Sequence, residues 1–65
     1  MLDGVVTAFD EGRGLGEVEA GGRTYPFHCT QLADGTRSIA VGTVVRFEVR
    51  PGGMGRWEAT GLTPA

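Results

Sequence analysis

His28 and Cys29 are the only histidine and the only cysteine of the chain, and they are neighbours. A thiol beside an imidazole is the raw material of a nucleophile and its base. Neighbours in an extended strand point to opposite faces, so the two cannot work together if a strand runs through both. One histidine and one cysteine are also too few soft ligands for a metal site. Glu17 and Glu19 lie two apart, about 7 Å on one strand face, near the separation of a glycosidase carboxylate pair. Alternating acids on an outward face are ordinary solubility residues, and they are read so here. The stretch "EGRGLGEVE", residues 11–19, sets Gly12, Gly14 and Gly16 around Arg13 and Leu15. A phosphate-binding loop needs a lysine with serine or threonine after its last glycine, and a dinucleotide fingerprint needs a helix to follow. Strand pattern follows instead, so no helix N-terminus is there to hold an anion. No catalytic residue, cofactor or metal centre is expected.

The 65 residues predict one domain, 1–65. A chain this short buries only ~60% of the surface that it exposes unfolded, which leaves no room for a deep catalytic cleft. Six arginines, no lysine and eight acids give a net charge of −2. A general polyanion binder carries a basic excess, and this total points the other way. The single cysteine excludes an intramolecular disulfide and fits a reducing compartment. No apolar run approaches the ~18 residues of a membrane-spanning helix, and "MLDGVVTAFD" with its early acid is not a secretory leader. The expectation is a cytoplasmic protein without a membrane partner.

Twelve glycines and three prolines leave no window with helical periodicity, while short alternating segments bounded by glycine recur. The pattern predicts an all-β fold, a small five-stranded antiparallel barrel of the OB type. Its strands are residues 2–9, 15–20, 23–28, 43–50 and 56–62. Gly21-Gly22 makes a tight hairpin. A loop over 29–42 holds a single helical turn near Gln31, and Pro51-Gly52-Gly53 ends the fourth strand. Alternation predicts a core of Val6, Val18, Phe27, Leu32, Ile39, Val45, Phe47, Val49 and Ala59. Trp57 is expected to cap one end of this thin core rather than to form an exposed spot with Met54. Pro26 suits an edge strand or a bulge.

The order of these segments resembles the bacterial cold-shock domain family. "GVVTAFD" (residues 4–10) matches the family's Gly-x-Val-Lys-Trp-Phe-Asn, and "RGLGEV" (13–18) its Lys-Gly-Phe-Gly-Phe-Ile. "YPFHCT" (25–30) matches Val-Phe-Val-His-Phe-Ser. "VGTVVRFEV" (41–49) and "GRWEATGL" (55–62) are similar to the fourth and fifth strands. The resemblance covers nearly the whole chain and implies a five-stranded OB-type barrel. It also implies binding of single-stranded RNA or DNA by bases stacked on aromatics of the first three strands.

Carried over position by position, most of those aromatics are replaced. The stacking sites fall on Ala8, Leu15, Glu17, Pro26 and Cys29. Phe9 and His28 remain, and Arg13 stands for a lysine. Each base stacked on an aromatic is worth ~1–3 kcal/mol, so five replacements weaken binding by ~5 kcal/mol, over a thousandfold. Glu17 adds a negative charge beside the phosphates. Two functions follow. One is weak or displaced binding of single-stranded nucleic acid through Phe9, Arg13, His28, Arg37 and Arg56, with Arg23 beside them. The other is a protein-interaction or regulatory module that has lost nucleic-acid binding and uses Leu15, Pro26 and Trp57 as apolar anchors.

Overall fold

The computed structural model describes residues 1–65. Its strands are β1 (Leu2–Asp10), β2 (Leu15–Ala20), β3 (Arg23–His28), β4 (Val44–Pro51) and β5 (Trp57–Pro64). Single 3-10 turns occupy Cys29–Gln31, where the helical turn is expected, and Gly53–Gly55. All strand pairs are antiparallel, in the order β3-β2-β1-β4-β5. The sheet curls until β3 lies against β5. No ladder joins these two strands; near that line the isolated bridge Leu32–Leu62 ties the central loop to β5, and the Ala33 N–H donates to the Leu62 carbonyl at 2.9 Å. This is the five-stranded OB-type barrel that the alternation predicts. No helix is long and apolar enough to cross a membrane.

Strand ends shift by one or two residues from the expected ones. Pro51 belongs to β4, where it pairs with Trp57. A proline is tolerated at such an end because no further ladder bond is asked of its nitrogen. The Gly52 N–H then donates to the Arg56 carbonyl at 2.6 Å and closes the hairpin. At the β2–β3 hairpin Gly21 and Gly22 take φ of 58° and 82°, the positive values that a two-residue turn between twisted strands demands.

Seven of the expected core residues are buried: Val6, Val18, Phe27, Leu32, Val45, Phe47 and Ala59. Ile39 and Val49 pack against the core but remain partly exposed, while Ala20 and Leu62 complete it. Leu62 breaks simple alternation because of a bulge. Arg46 pairs with Thr63 and Glu48 with Thr60, so both Gly61 and Leu62 oppose Phe47. Gly61 takes φ of 61°, which glycine reaches without a Cβ clash. The extra residue turns Leu62 inward.

A second bulge reshapes β1. Val6 pairs with Val18 but Ala8 with Glu17, which leaves Thr7 as the extra residue. Before it Gly4 and Val6 are buried; after it Ala8 faces out and Phe9 turns towards the core. The Phe9 ring stacks on Phe27 with centroids 6.0 Å apart and planes 19° apart. Gly16 makes room for both rings, since a Cβ there would lie 2.6 Å from Phe27 Cζ and 2.8 Å from Phe9 Cδ1.

Trp57 does not cap the core: it is 53% exposed. It stands at the very start of β5 opposite Pro51, beyond the last buried layer. Phe47, fully buried, is the large side chain that fills the barrel. Tyr25 leans on it with ring centroids 5.8 Å apart.

Candidate functional site

The barrel measures 25 × 23 × 17 Å, too thin for an interior cavity of ligand size. Its concavities are three open hollows of about 420, 380 and 340 Å³. The first and second share Arg13; the second and third share Pro26 and Arg56. Each therefore adjoins the next, and the three together are a belt of neighbouring hollows.

The first hollow lies between the Glu11–Gly14 turn, the end of β3 and the loop through Arg37. It brings together Arg13, His28 and Arg37. Cys29 lines it too, because β3 ends at His28 and the chain turns there. The strand ends at His28 as the pattern predicts, so the rule that separates neighbours within a strand does not apply to the pair: Sγ sits 3.9 Å from His28 Nδ1. The pair is nevertheless not a nucleophile with its base. His28 Nδ1 accepts the Thr30 N–H at 3.2 Å and faces the Thr30 hydroxyl at 3.0 Å. That lone pair caps the 3-10 turn and is unavailable to the thiol. The neutral ring then carries its proton on Nε2. Gly14 packs directly on the thiol, since a Cβ there would lie 2.8 Å from Sγ.

Arg13 is held lightly. Its Nε lies 3.9 Å from Asp10 Oδ2, with both side chains mostly exposed. Such an exposed pair contributes under ~1 kcal/mol and yields to a stronger anion. Asp10 Oδ1 is occupied by the Gly12 and Arg13 N–H groups at 3.0 and 3.3 Å, so that carboxylate shapes the turn.

The second hollow covers the outer face of β1, β2 and β3. Ladder pairing sets Ala8, Glu17 and Pro26 in one row and Asp10, Leu15 and His28 in the next. Four of the five replaced stacking positions therefore share one face; Cys29 lies apart in the first hollow. Leu15 is 46% exposed. Phe9 reaches this hollow only with what its stack on Phe27 leaves free.

The third hollow lies on the β3–β5 seam, lined by Arg23, Thr24, Tyr25, Pro26, Arg56 and Trp57. Sequence reasoning names Arg23, Arg56 and Trp57 singly but does not join them. Only barrel closure brings the first half of β3 to the start of β5.

All six of the sequence-derived contact residues, Phe9, Arg13, Arg23, His28, Arg37 and Arg56, line this belt. Its charge differs from that of the rest of the molecule. Four arginines meet three acids, Asp10, Glu11 and Glu17, along the belt. The other two arginines share the remaining surface with five acids. One of the two, Arg46, donates from Nε to Asp3 Oδ1 at 2.9 Å. That hydrogen bond holds the Asp3 carboxyl below its ordinary pKa and raises that of Arg46. The net negative charge thus resides off the belt. No group of three or more His, Cys, Asp or Glu side chains is placed to hold a metal ion.

Comparison with known proteins locates the architecture. No family model matches the chain, and no curated protein matches it. Among solved structures, a cold-shock-domain segment of Drosophila Unr superposes with a TM-score of 0.79 at 24% identity. The match covers 98% of this chain and 26% of that one, so the chain spans about a quarter of its neighbour's length. What the two share is the fold: five antiparallel strands in one sheet, curled into an OB-type barrel of the cold-shock kind.

Proposed function

We propose that the chain is a single binding domain, not an enzyme, that holds single-stranded RNA or DNA along the belt of three hollows. The observation that carries this reading is the gathering of Arg13, Arg23, Arg37 and Arg56 on one track of a protein with a net negative charge. The cold-shock fold of the neighbour supports it, since the sequence motifs are similar to the same kind of domain. Phosphates run past the arginines, and His28 offers its Nε2 edge in the first hollow. Phe9 supports the central face from beneath. Ala8, Leu15, Glu17 and Pro26 cannot stack bases there, so affinity is low.

Amide-shift titration with short oligothymidine and oligouridine tests this. Up to four phosphates neutralised gives a log–log salt slope of about −2 to −3 between ~20 and ~200 mM salt. Saturable, salt-sensitive shifts along the belt are expected. A spectrum unmoved at millimolar oligonucleotide overturns the proposal.

Leu15, exposed beside Pro26 on the central face, favours a second reading: an apolar anchor for a protein partner. Under it, a pull-down from the native host yields a protein that Leu15→Ser releases, and oligonucleotide does not compete.

A further inference from the structure

The five aromatic side chains divide sharply by exposure. Phe27 and Phe47 are buried, Phe9 and Tyr25 are half-buried, and Trp57 alone is exposed. A base needs an exposed ring face, and beyond the partly covered Phe9 and the small His28 imidazole the central face, where stacking is expected by resemblance, has none to offer. The seam does.

Three observations set the seam apart. It is the only one of the three hollows without a carboxylate in its lining. Two arginines, Arg23 and Arg56, line it with the indole. Glu58, the acid next to Trp57, is turned away: its side chain lies over Gly52, where a Cβ would come within 2.2 Å of the Glu58 carboxyl carbon. The floor is firm as well, because Tyr25 rests on the fully buried Phe47.

We propose that Trp57 is a displaced base-stacking platform: one base of a single strand lies on its indole while Arg23 and Arg56 take the adjoining phosphates. This deepens the nucleic-acid reading above and rests on it. The strand leaves the central hollow past Pro26 and Arg56, which both hollows share, and ends on the seam between β3 and β5. An acidic peptide would be drawn by the same arginines, but the flat exposed indole beside them is what a base requires.

The test follows binding of fluorescein-labelled oligothymidine by anisotropy, a signal independent of the tryptophan, alongside Trp57 emission. Wild type is expected to bind with quenched indole fluorescence. Trp57→Leu weakens binding roughly tenfold or more, whereas Trp57→Phe, which keeps a ring, stays within about threefold. Arg23→Gln lowers the salt slope by about one unit. Amide spectra of each variant establish that the barrel is intact; Trp57→Phe serves where Trp57→Leu is not. If anisotropy reports binding but Trp57→Leu binds as wild type without quenching in the parent, the platform is refuted and the nucleic-acid reading stands. If wild type binds no oligonucleotide at millimolar concentration, the nucleic-acid reading itself fails and takes the platform with it.

Discussion

The central hollow and the seam hollow share Pro26 and Arg56, yet they are opposite in chemistry. On the central face a regular ladder sets Ala8, Glu17 and Pro26 side by side: a methyl group, a carboxylate and a ring without a π face. On the seam no ladder exists, and Arg23 and Tyr25 of β3 meet Arg56, just before β5, and Trp57 where the two strands merely abut. The difference teaches that the barrel can keep its inward face while its outward chemistry moves. Val6, Val18, Phe27, Val45 and Phe47 sustain the core whichever outer face carries charge and aromatic surface. Fold and site are therefore separable here, residue by residue.

The strongest way to break the comparison is to remove what both regions stand on. Phe47 is the largest fully buried side chain, and it supports the Tyr25 ring of the seam. Phe47→Ala is expected to cost about 3–5 kcal/mol. A domain of this length holds only about 3–10 kcal/mol in total, so urea denaturation should show the variant largely unfolded or close to it, with both hollows lost together. Selective loss of one hollow would mean that they do not share a core.

The next change sharpens the contrast by rebuilding the central face. Glu17→Phe with Pro26→Phe restores two rings on neighbouring strands and removes a carboxylate. Oligonucleotide affinity is expected to rise by about 2 kcal/mol or more, measured by anisotropy, and substitution of Trp57 should then matter less. An unchanged affinity would show that the shape of this face, bent by the Thr7 bulge, differs as well as its residues.

The smallest effect concerns pH. Asp34 accepts the Thr36 N–H at 3.0 Å and the Thr36 hydroxyl at 2.7 Å, and these bonds hold its carboxyl below the usual range. Asp3 is lowered by its hydrogen bond from Arg46. Both folded pKa values lie below the unfolded value of ~3.9. Their contribution is thus present above about pH 4 and is lost as pH falls through the folded values. Both groups are solvent-exposed, so the decline is shallow. Asp3→Asn and Asp34→Asn should each flatten the fall in urea midpoint below about pH 4. The seam, which has no carboxylate, should keep its shape across that range, as Trp57 emission would report.

Much of the barrel was legible because period-2 alternation reports burial wherever a ladder is regular. It placed Val45 and Phe47 in β4 and Val18 in β2. It failed where a ladder slips. Leu62 stands three residues after Ala59, a spacing that alternation assigns to the outside until Gly61 is recognised as a bulge. A glycine inside a strand was the available signal. Thr7 gave a fainter one, the odd spacing between Val6 and Phe9. Trp57 was misplaced by an argument from size, since Phe47 already fills the space. The belt's arginines could be named from the chain but not assembled, because closure of a barrel joins residues that no local pattern relates. His28 and Cys29 meet because β3 ends between them, where the predicted strand also ends, and the rule that separates neighbours holds only inside a strand.

The bridge between Leu32 and Leu62 has a further consequence, in the time domain. Elsewhere neighbouring strands are joined by antiparallel ladders, but beside the seam the main chain crosses by this one bridge, through the hydrogen bond from the Ala33 N–H to the Leu62 carbonyl. Local opening should begin along that line, and the Ala33 amide should exchange with solvent well before the amides of β1 and β2. A strand of nucleic acid that spans Arg23 and Arg56 would bridge β3 to β5 from outside. Binding would then slow that exchange, making the ligand the missing rung of the barrel.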